Sequence, residues 1–192
     1  MSAGTMSPPI AATWEIRRTR LPLVRRRCPD CRSRTAQASG KFRVNASAKL
    51  LDVWLLLHCT GCERTSKVTV IERSATIAHH LLVRFENNDP DLIAQVLLDP
   101  ATAHRNHFAL DWGNSWEVVT DPDASWQHPG TFRVTFADPI PLRPARLIAA
   151  GLRISRNKAE ELLDTRVIEL SGELGTKIRS TFEFTTASVL SD

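Results

Sequence analysis

No apolar run in this 192-residue chain approaches the roughly 20 residues needed to span a bilayer, so no membrane partner is expected. The first residues, Met1 to Thr13, lack a basic cluster followed by an apolar stretch; rich in Ser, Ala, Pro and Thr, they read as a disordered tail rather than an export signal. Cysteine is scarce, four in all and confined to two close pairs, which excludes a disulfide-dense secreted scaffold. Thiols so placed, without an export signal, point to a reducing cytoplasmic compartment where metal binding outranks disulfide formation.

Catalytic signatures are missing as well. There is no Gly-rich phosphate loop, no nucleophile motif and no H-E-x-x-H pair. His79 and His80 with Glu86 and Asp89, and His104 with His107, are the clusters that approach acid–base chemistry, and they read as surface residues. The chain is therefore expected not to be an enzyme and to take no small-molecule substrate. No internal repeat or low-complexity tract is visible, and 42% hydrophobic content is enough to bury a core.

What the chain has in excess is basic charge, unevenly spread. Residues 1–76 carry 14 Lys+Arg against 5 Asp+Glu, residues 77–142 carry 3 against 9, and residues 143–192 carry 8 against 7. A basic first third beside an acidic middle suits a face that meets polyanions and another that stays solvated or meets protein.

Punctuation divides the chain after the 1–13 tail into three expected segments, 14–75, 76–140 and 141–192. In the first, Phe42–Asn45 and Leu51–His58 are β-prone runs joined through Ala46–Lys49, and Lys67–Glu72 alternates, so a small antiparallel sheet is predicted. Trp14–Val24 is expected to enter that sheet as an extended strand, since Pro22 opposes a helix. In the second, a helix is predicted over Ser74–Glu86. Asp89-Pro90 and Asp99-Pro100 each pair a capping acid with a proline at the first helical position. Trp116–Thr120 and Thr131–Phe136 are read as a hairpin or strand pair around the turn-rich Asp121–Ser125 and His128-Pro129-Gly130. The third segment predicts two short helices, Arg143–Ala150 and Arg156–Asp164, the second capped by Ser155, followed by extended runs at Val167–Leu170 and Lys177–Thr186. The expected class is α+β: an amino-terminal zinc-ribbon-like antiparallel sheet, a mixed helical middle, and a carboxy-terminal helix pair with strands.

The sharpest signal is Cys28-Pro29-Asp30-Cys31 with Cys59-Thr60-Gly61-Cys62. Each C-x-x-C turn aims two thiolates at one point, and four sulfurs at tetrahedral corners satisfy one zinc ion with no open position for water or substrate. A structural Zn2+ held by Cys28, Cys31, Cys59 and Cys62 is the expectation. A rubredoxin-type iron site also uses two knuckles, but Arg32 and Glu63 stand where such sites commonly have glycine. Arg25, Arg26, Arg27, Arg32 and Arg64 surround the thiolates and would offset their charge. Arg25, Arg26 and Arg27 are also candidate contacts to nucleic acid, and Trp14, Phe42 and Trp54 are candidate stacking surfaces, with Trp54 read rather as core.

Two blocks, Gly40-Lys41-Phe42-Arg43-Val44-Asn45-Ala46 and Leu50-Leu51-Asp52-Val53-Trp54-Leu55, taken with the knuckles, resemble the bacterial domain-of-unknown-function family 1062 from about Arg27 onward. That resemblance implies no activity. A second resemblance covers Arg143 to about Thr186: Arg143–Gly151, Ile154–Ala159 and Leu162-Leu163 are similar to the αL-type RNA-binding domain of ribosomal small-subunit proteins, pseudouridine synthases and tyrosyl-tRNA synthetases. It implies two helices presenting Arg143, Arg146, Arg153, Arg156 and Lys158 to an RNA backbone. The chain departs from that pattern at Ala145, where the family has an acid, and at Arg166, where it has the helix-ending glycine. The function expected from these readings is non-catalytic binding of structured RNA. The alternative is a protein-interaction or transcription-linked adaptor that uses the ribbon's sheet edge and the acidic middle.

Overall fold

The computed structural model describes residues 10–47, 49–120, 129–172 and 176–187. It is α+β, and it divides into two compact units, residues 21–113 and residues 1–20 with 114–192.

The 21–113 unit is built on an antiparallel five-stranded sheet in the order β5-β4-β3-β2-β6. Its strands are β2 (Leu23–Arg25), β3 (Thr35–Ser47), β4 (Leu50–Cys59), β5 (Thr65–Ser74) and β6 (Ala109–Asp111). In β4 the alternate residues Val53, Leu55 and Leu57 are fully buried, as a period of two requires when one face packs on a core. The β3–β4 register shifts between Ala38 and Phe42. Gly40 lies in that shift at φ 75°, a left-handed conformation that glycine adopts without a Cβ penalty.

Three helices supply the other half of this core: α1 (His79–Glu86), α2 (Pro90–Leu98) and α3 (Pro100–Arg105). The Asp89 side chain accepts from the backbone N–H groups of Asp91 (2.9 Å) and Leu92 (3.0 Å), and Asp99 from those of Ala101 (3.2 Å) and Thr102 (2.8 Å). These are the capping acids predicted from the two Asp-Pro pairs. The Arg84 side chain beside Asp89, with the cap N–H groups, holds that carboxyl down at about 2. Helix residues Phe85, Leu92, Ile93 and Leu97 pack with Val53, Leu55, Leu57 and Val68 of the sheet; each such burial contributes roughly 1.5–3 kcal/mol. The outer edge of β5 is closed by side chains. Asn106 Nδ2 donates to Thr69 O (2.9 Å) and its Oδ1 accepts from Thr69 N (2.7 Å), while Arg26 Nη1 donates to Lys67 O (2.8 Å). An amide that pairs both groups of one strand residue takes the place of a further strand.

The second unit carries a five-stranded sheet in the order β7-β1-β8-β10-β9: β1 (Ile10–Arg18), β7 (Trp116–Thr120), β8 (Gly130–Phe136), β9 (Ile168–Leu170) and β10 (Phe182–Thr186). The β1–β8 pair is parallel and the others are antiparallel. Trp14, Phe132 and Phe184 form its aromatic centre, with Phe132 stacked on Phe184 at 4.8 Å and Trp14 edge-on to Phe184 at 5.0 Å. Helix α4 (Pro144–Leu152) buries Leu147 and Ile148, and α5 (Arg156–Asp164) buries Ala159 and Leu162. Gly151 of α4 lies so close to the Trp14 indole that a Cβ there would overlap the ring. Ser155 caps α5, its Oγ accepting from Lys158 N at 3.2 Å.

Several expectations are corrected. Three consecutive segments give way to two units, because the first strand belongs with the end of the chain. Trp14 does not enter the knuckle sheet: Ala12, Trp14 and Ile16 are buried on alternate positions of β1, and only Leu23–Arg25 joins the sheet expected for Trp14–Val24. Residues Ile10–Thr13 of the expected tail are strand, while 1–9 lie outside the described residues. The helix predicted from Ser74 starts at His79, because β5 stays paired as far as Ser74 opposite Leu51. Trp116–Thr120 and Thr131–Phe136 do not pair with each other; β1 lies between them, contributing Ile16 and Trp14 to both ladders. The turn-rich 121–125 stretch, His128 and Ala48 lie outside the described residues.

Candidate metal centre and basic groove

The two knuckles sit at one end of the 21–113 sheet. Cys28 follows β2, Cys59 closes β4, and Cys31 and Cys62 lie in the turns leading into β3 and β5. Backbone bonds fold the turns back: Cys28 N donates to Ser33 O (3.0 Å), Cys59 N to Arg64 O (2.9 Å) and Glu63 N to Cys59 O (3.0 Å). Glu63 takes φ 58° to close the second turn. Gly61 is packed against Ser33 and the Cys31 Sγ, and a Cβ there would stand 3.0 Å from Ser33 Cβ.

The four sulfurs all lie within 4.8 Å of one another. The Sγ atoms of Cys28 and Cys62 are 3.6 Å apart and those of Cys31 and Cys59 3.5 Å. A tetrahedron with metal–sulfur bonds near 2.3 Å has edges of about 3.8 Å, so the donor set fits one metal ion. Cys59 and Cys31 are shifted in opposite directions. The Gly61 backbone N–H, with that of Cys62, draws Cys59 down to about 6. Cys31 is pushed up to about 12: the Ser33 backbone N–H favours its thiolate, but the Cys59 sulfur and burial oppose and outweigh it. A cation among them is what lets all four shed their protons together.

Around this centre the arginines divide. Arg64 pairs with Asp30, Arg25 with Asp111 at 3.2 Å, and Arg26 reaches the Lys67 carbonyl. Arg26 and Arg27 line two hollows beside the knuckles, of about 380 and 650 Å³. Of the predicted stacking residues, Trp14 is fully buried and Phe42 nearly so, packing edge-on against Phe85 at 4.9 Å. Trp54, read from sequence as core, is half-buried, with Lys67 Nζ 4.3 Å above its ring.

In the other unit, Arg143 and Arg156 line one open groove of about 710 Å³ together with Arg166, Leu163, Glu160 and Glu169. Arg143 is the N-cap of α4, with no side-chain cap bond and no acid in the first turn. Arg156 pairs with Glu160 at 2.9 Å and Lys158 with Glu161 at 2.8 Å, both exposed. Arg146 does not line the groove and lies 5.2 Å over the Trp116 ring. Arg153 closes α4 at φ 58°, and it and Lys158 are likewise not among the described lining residues. Arg166, which sequence reasoning passed over as a site residue, stands at φ 57°.

A family model described as protein of unknown function, DUF1062, matches residues 44–173, and the chain belongs to that family. The matched span holds Cys59 and Cys62 and both carboxy-terminal helices, and begins after Cys28 and Cys31. No curated protein and no solved structure matches the chain. Among the described residues no helix is long and apolar enough to cross a membrane.

Proposed function

We propose that this is a non-catalytic cytoplasmic protein in which a structural zinc ion holds the knuckle end of one sheet and the basic groove of the other unit binds structured RNA. Zinc is favoured over iron by the residues after the knuckles, since Arg32 and Glu63 replace the glycines usual in a rubredoxin-type site. The observation that supports RNA most is the meeting of Arg143, Arg156 and Arg166 on one groove. The unneutralised amino-terminal end of α4 lies beside them, and both features favour phosphate. Glu160 and Glu169 offset part of that charge, but the exposed Arg156–Glu160 pair is worth only about 0–1 kcal/mol, so Arg156 can exchange its carboxylate for a phosphate at small cost. The adaptor reading finds less support, because the long β5 edge is already occupied at Lys67 and Thr69 by Arg26 and Asn106.

The test is binding to structured cellular RNA across a salt series. Arg143→Glu/Arg156→Glu should lower the affinity and reduce the slope of log K against log salt by about two, one for each phosphate contact removed. Equal slopes for wild type and variant would remove the groove from the interface, and no binding at low salt would end the RNA reading. Arg166 predicts a split of signs. Arg166→Gly relieves a left-handed residue and should raise thermal stability by up to about 1 kcal/mol, while weakening RNA binding. A variant that loses both stability and binding would contradict a binding role for that side chain.

A further inference from the structure

The face of the 21–113 sheet turned away from the helices carries an aromatic side chain among cations. Val53, Leu55 and Leu57 of β4 face the helices, so the intervening Trp54, Leu56 and His58 project from the opposite face, and all three are half-buried. Their cross-strand neighbours are mostly polar and basic. Arg43 of β3 and Thr69 of β5 stand opposite Trp54, Lys67 of β5 opposite Leu56, and Gln37 and Thr65 opposite His58. Arg43 and Lys67 are exposed. The nearest acid on this row, Asp52, lies next to Trp54 on the same face of β4, and its Oδ1 accepts from Arg73 N at 2.8 Å.

We infer that this face is a platform for a single strand of RNA, on which an unpaired base stacks against Trp54 while Arg43 and Lys67 meet its phosphates. The inference rests on the RNA reading above and adds to it a second surface with a different ligand form. A half-exposed indole flanked by cations offers the two things an unpaired strand needs, a π-face for the base and positive charge along the backbone. Duplex RNA cannot use it in the same way, because its bases are already stacked on one another. Lys67 Nζ now covers the ring at 4.3 Å, a cation holding the place that the base would take. The lysine stem is flexible, so the ammonium can leave the ring for the adjoining phosphate as the base arrives. Trp14 and Phe42 cannot serve, since both are buried.

The test compares a 12-nucleotide oligouridylate with a fully paired RNA hairpin, using full-length metal-loaded protein. Wild type should bind both. Trp54→Leu, which keeps an apolar side chain on the sheet, should weaken oligouridylate binding by about tenfold and leave hairpin binding, metal content and circular dichroism unchanged. Arg43→Gln/Lys67→Gln should reduce the salt slope for oligouridylate alone. Hairpin binding without oligouridylate binding, or a Trp54→Leu variant that binds oligouridylate like wild type, overturns the platform and leaves the groove reading standing. Failure of both ligands to bind wild type overturns the two together. A Trp54→Leu variant that loses both ligands in proportion assigns Trp54 to packing and also overturns the platform.

Discussion

Removing the metal should unfold the 21–113 unit. The knuckles collect the ends of β2, β3, β4 and β5 at one point, where a single ion would tie the β2–β3 turn to the β4–β5 turn. A structural four-thiolate zinc site contributes apparent binding energies of roughly 10–16 kcal/mol at neutral pH, against a total stability of about 5–15 kcal/mol for an ordinary domain. The measurement is circular dichroism and tryptophan emission during titration with a strong chelator, alongside metal content. We expect loss of strand signal in step with loss of metal, and the same result on purifying Cys59→Ser. The dependence on pH has a definite sign. Only thiolates bind the ion, so protons compete with it and acidification favours release. Metal should stay bound at neutral pH and leave progressively on acidification, the loss of metal and of folded signal moving together. Full retention of folded signal after the metal has gone would refute a structural role.

Gly151→Ala should destabilise the other unit strongly, against the usual trend. In an exposed helix interior this change stabilises by roughly 0.5–1 kcal/mol, because alanine restricts the unfolded chain and favours the helix. Here the added methyl would enter the space of the Trp14 ring. That ring is fully buried, at 0% accessibility, and lies against Phe184 and Phe132. Overpacking of this kind costs about 1–3 kcal/mol, and more when the neighbour cannot move. The indole packs against a stacked aromatic pair and is fully buried, so it has little room to turn. Thermal unfolding of the full chain should show the loss, and Trp14→Phe in the Gly151→Ala background should restore part of it. A midpoint equal to or above wild type would show that α4 can lift away from β1 without penalty.

These two features also mark what could be read from sequence. The four-cysteine cluster was legible because its chemistry is local. Two C-x-x-C turns state their own geometry, and the four sulfurs stand where that spacing sends them. The Asp-Pro caps of α2 and α3 and the Ser155 cap of α5 were legible for the same reason, each being a bond across two or three residues. The contact of Gly151 with Trp14 was not, since it joins residues more than a hundred positions apart. The same separation hid the membership of β1. The alternation of Ala12, Trp14 and Ile16 announces a strand with one buried face, but nothing in it names β7 and β8 as partners. Trp54 was misjudged because the strand around it is nearly all apolar, and period-two alternation is invisible when both faces carry hydrophobic side chains. Arg166 needed backbone geometry, since its interest lies in a positive φ that composition does not record.

The placement of β1 bears on how the protein is made. Synthesis delivers Ile10–Arg18 first and its neighbours only after residues 21–113 have been added, a wait on the order of ten seconds at typical translation rates. At the end of that interval the intervening unit has all its own strands and helices and can close on itself, while an apolar strand carrying Trp14 and Ile16 still stands without its sheet. The parallel β1–β8 pair, completed later still, forms slowly because its loop is long. Nascent chains should therefore engage a holding chaperone through the amino-terminal strand until Phe136 has emerged. The bond from Thr19 N to Ser115 O (3.0 Å) then draws the two ends of the finished insert together.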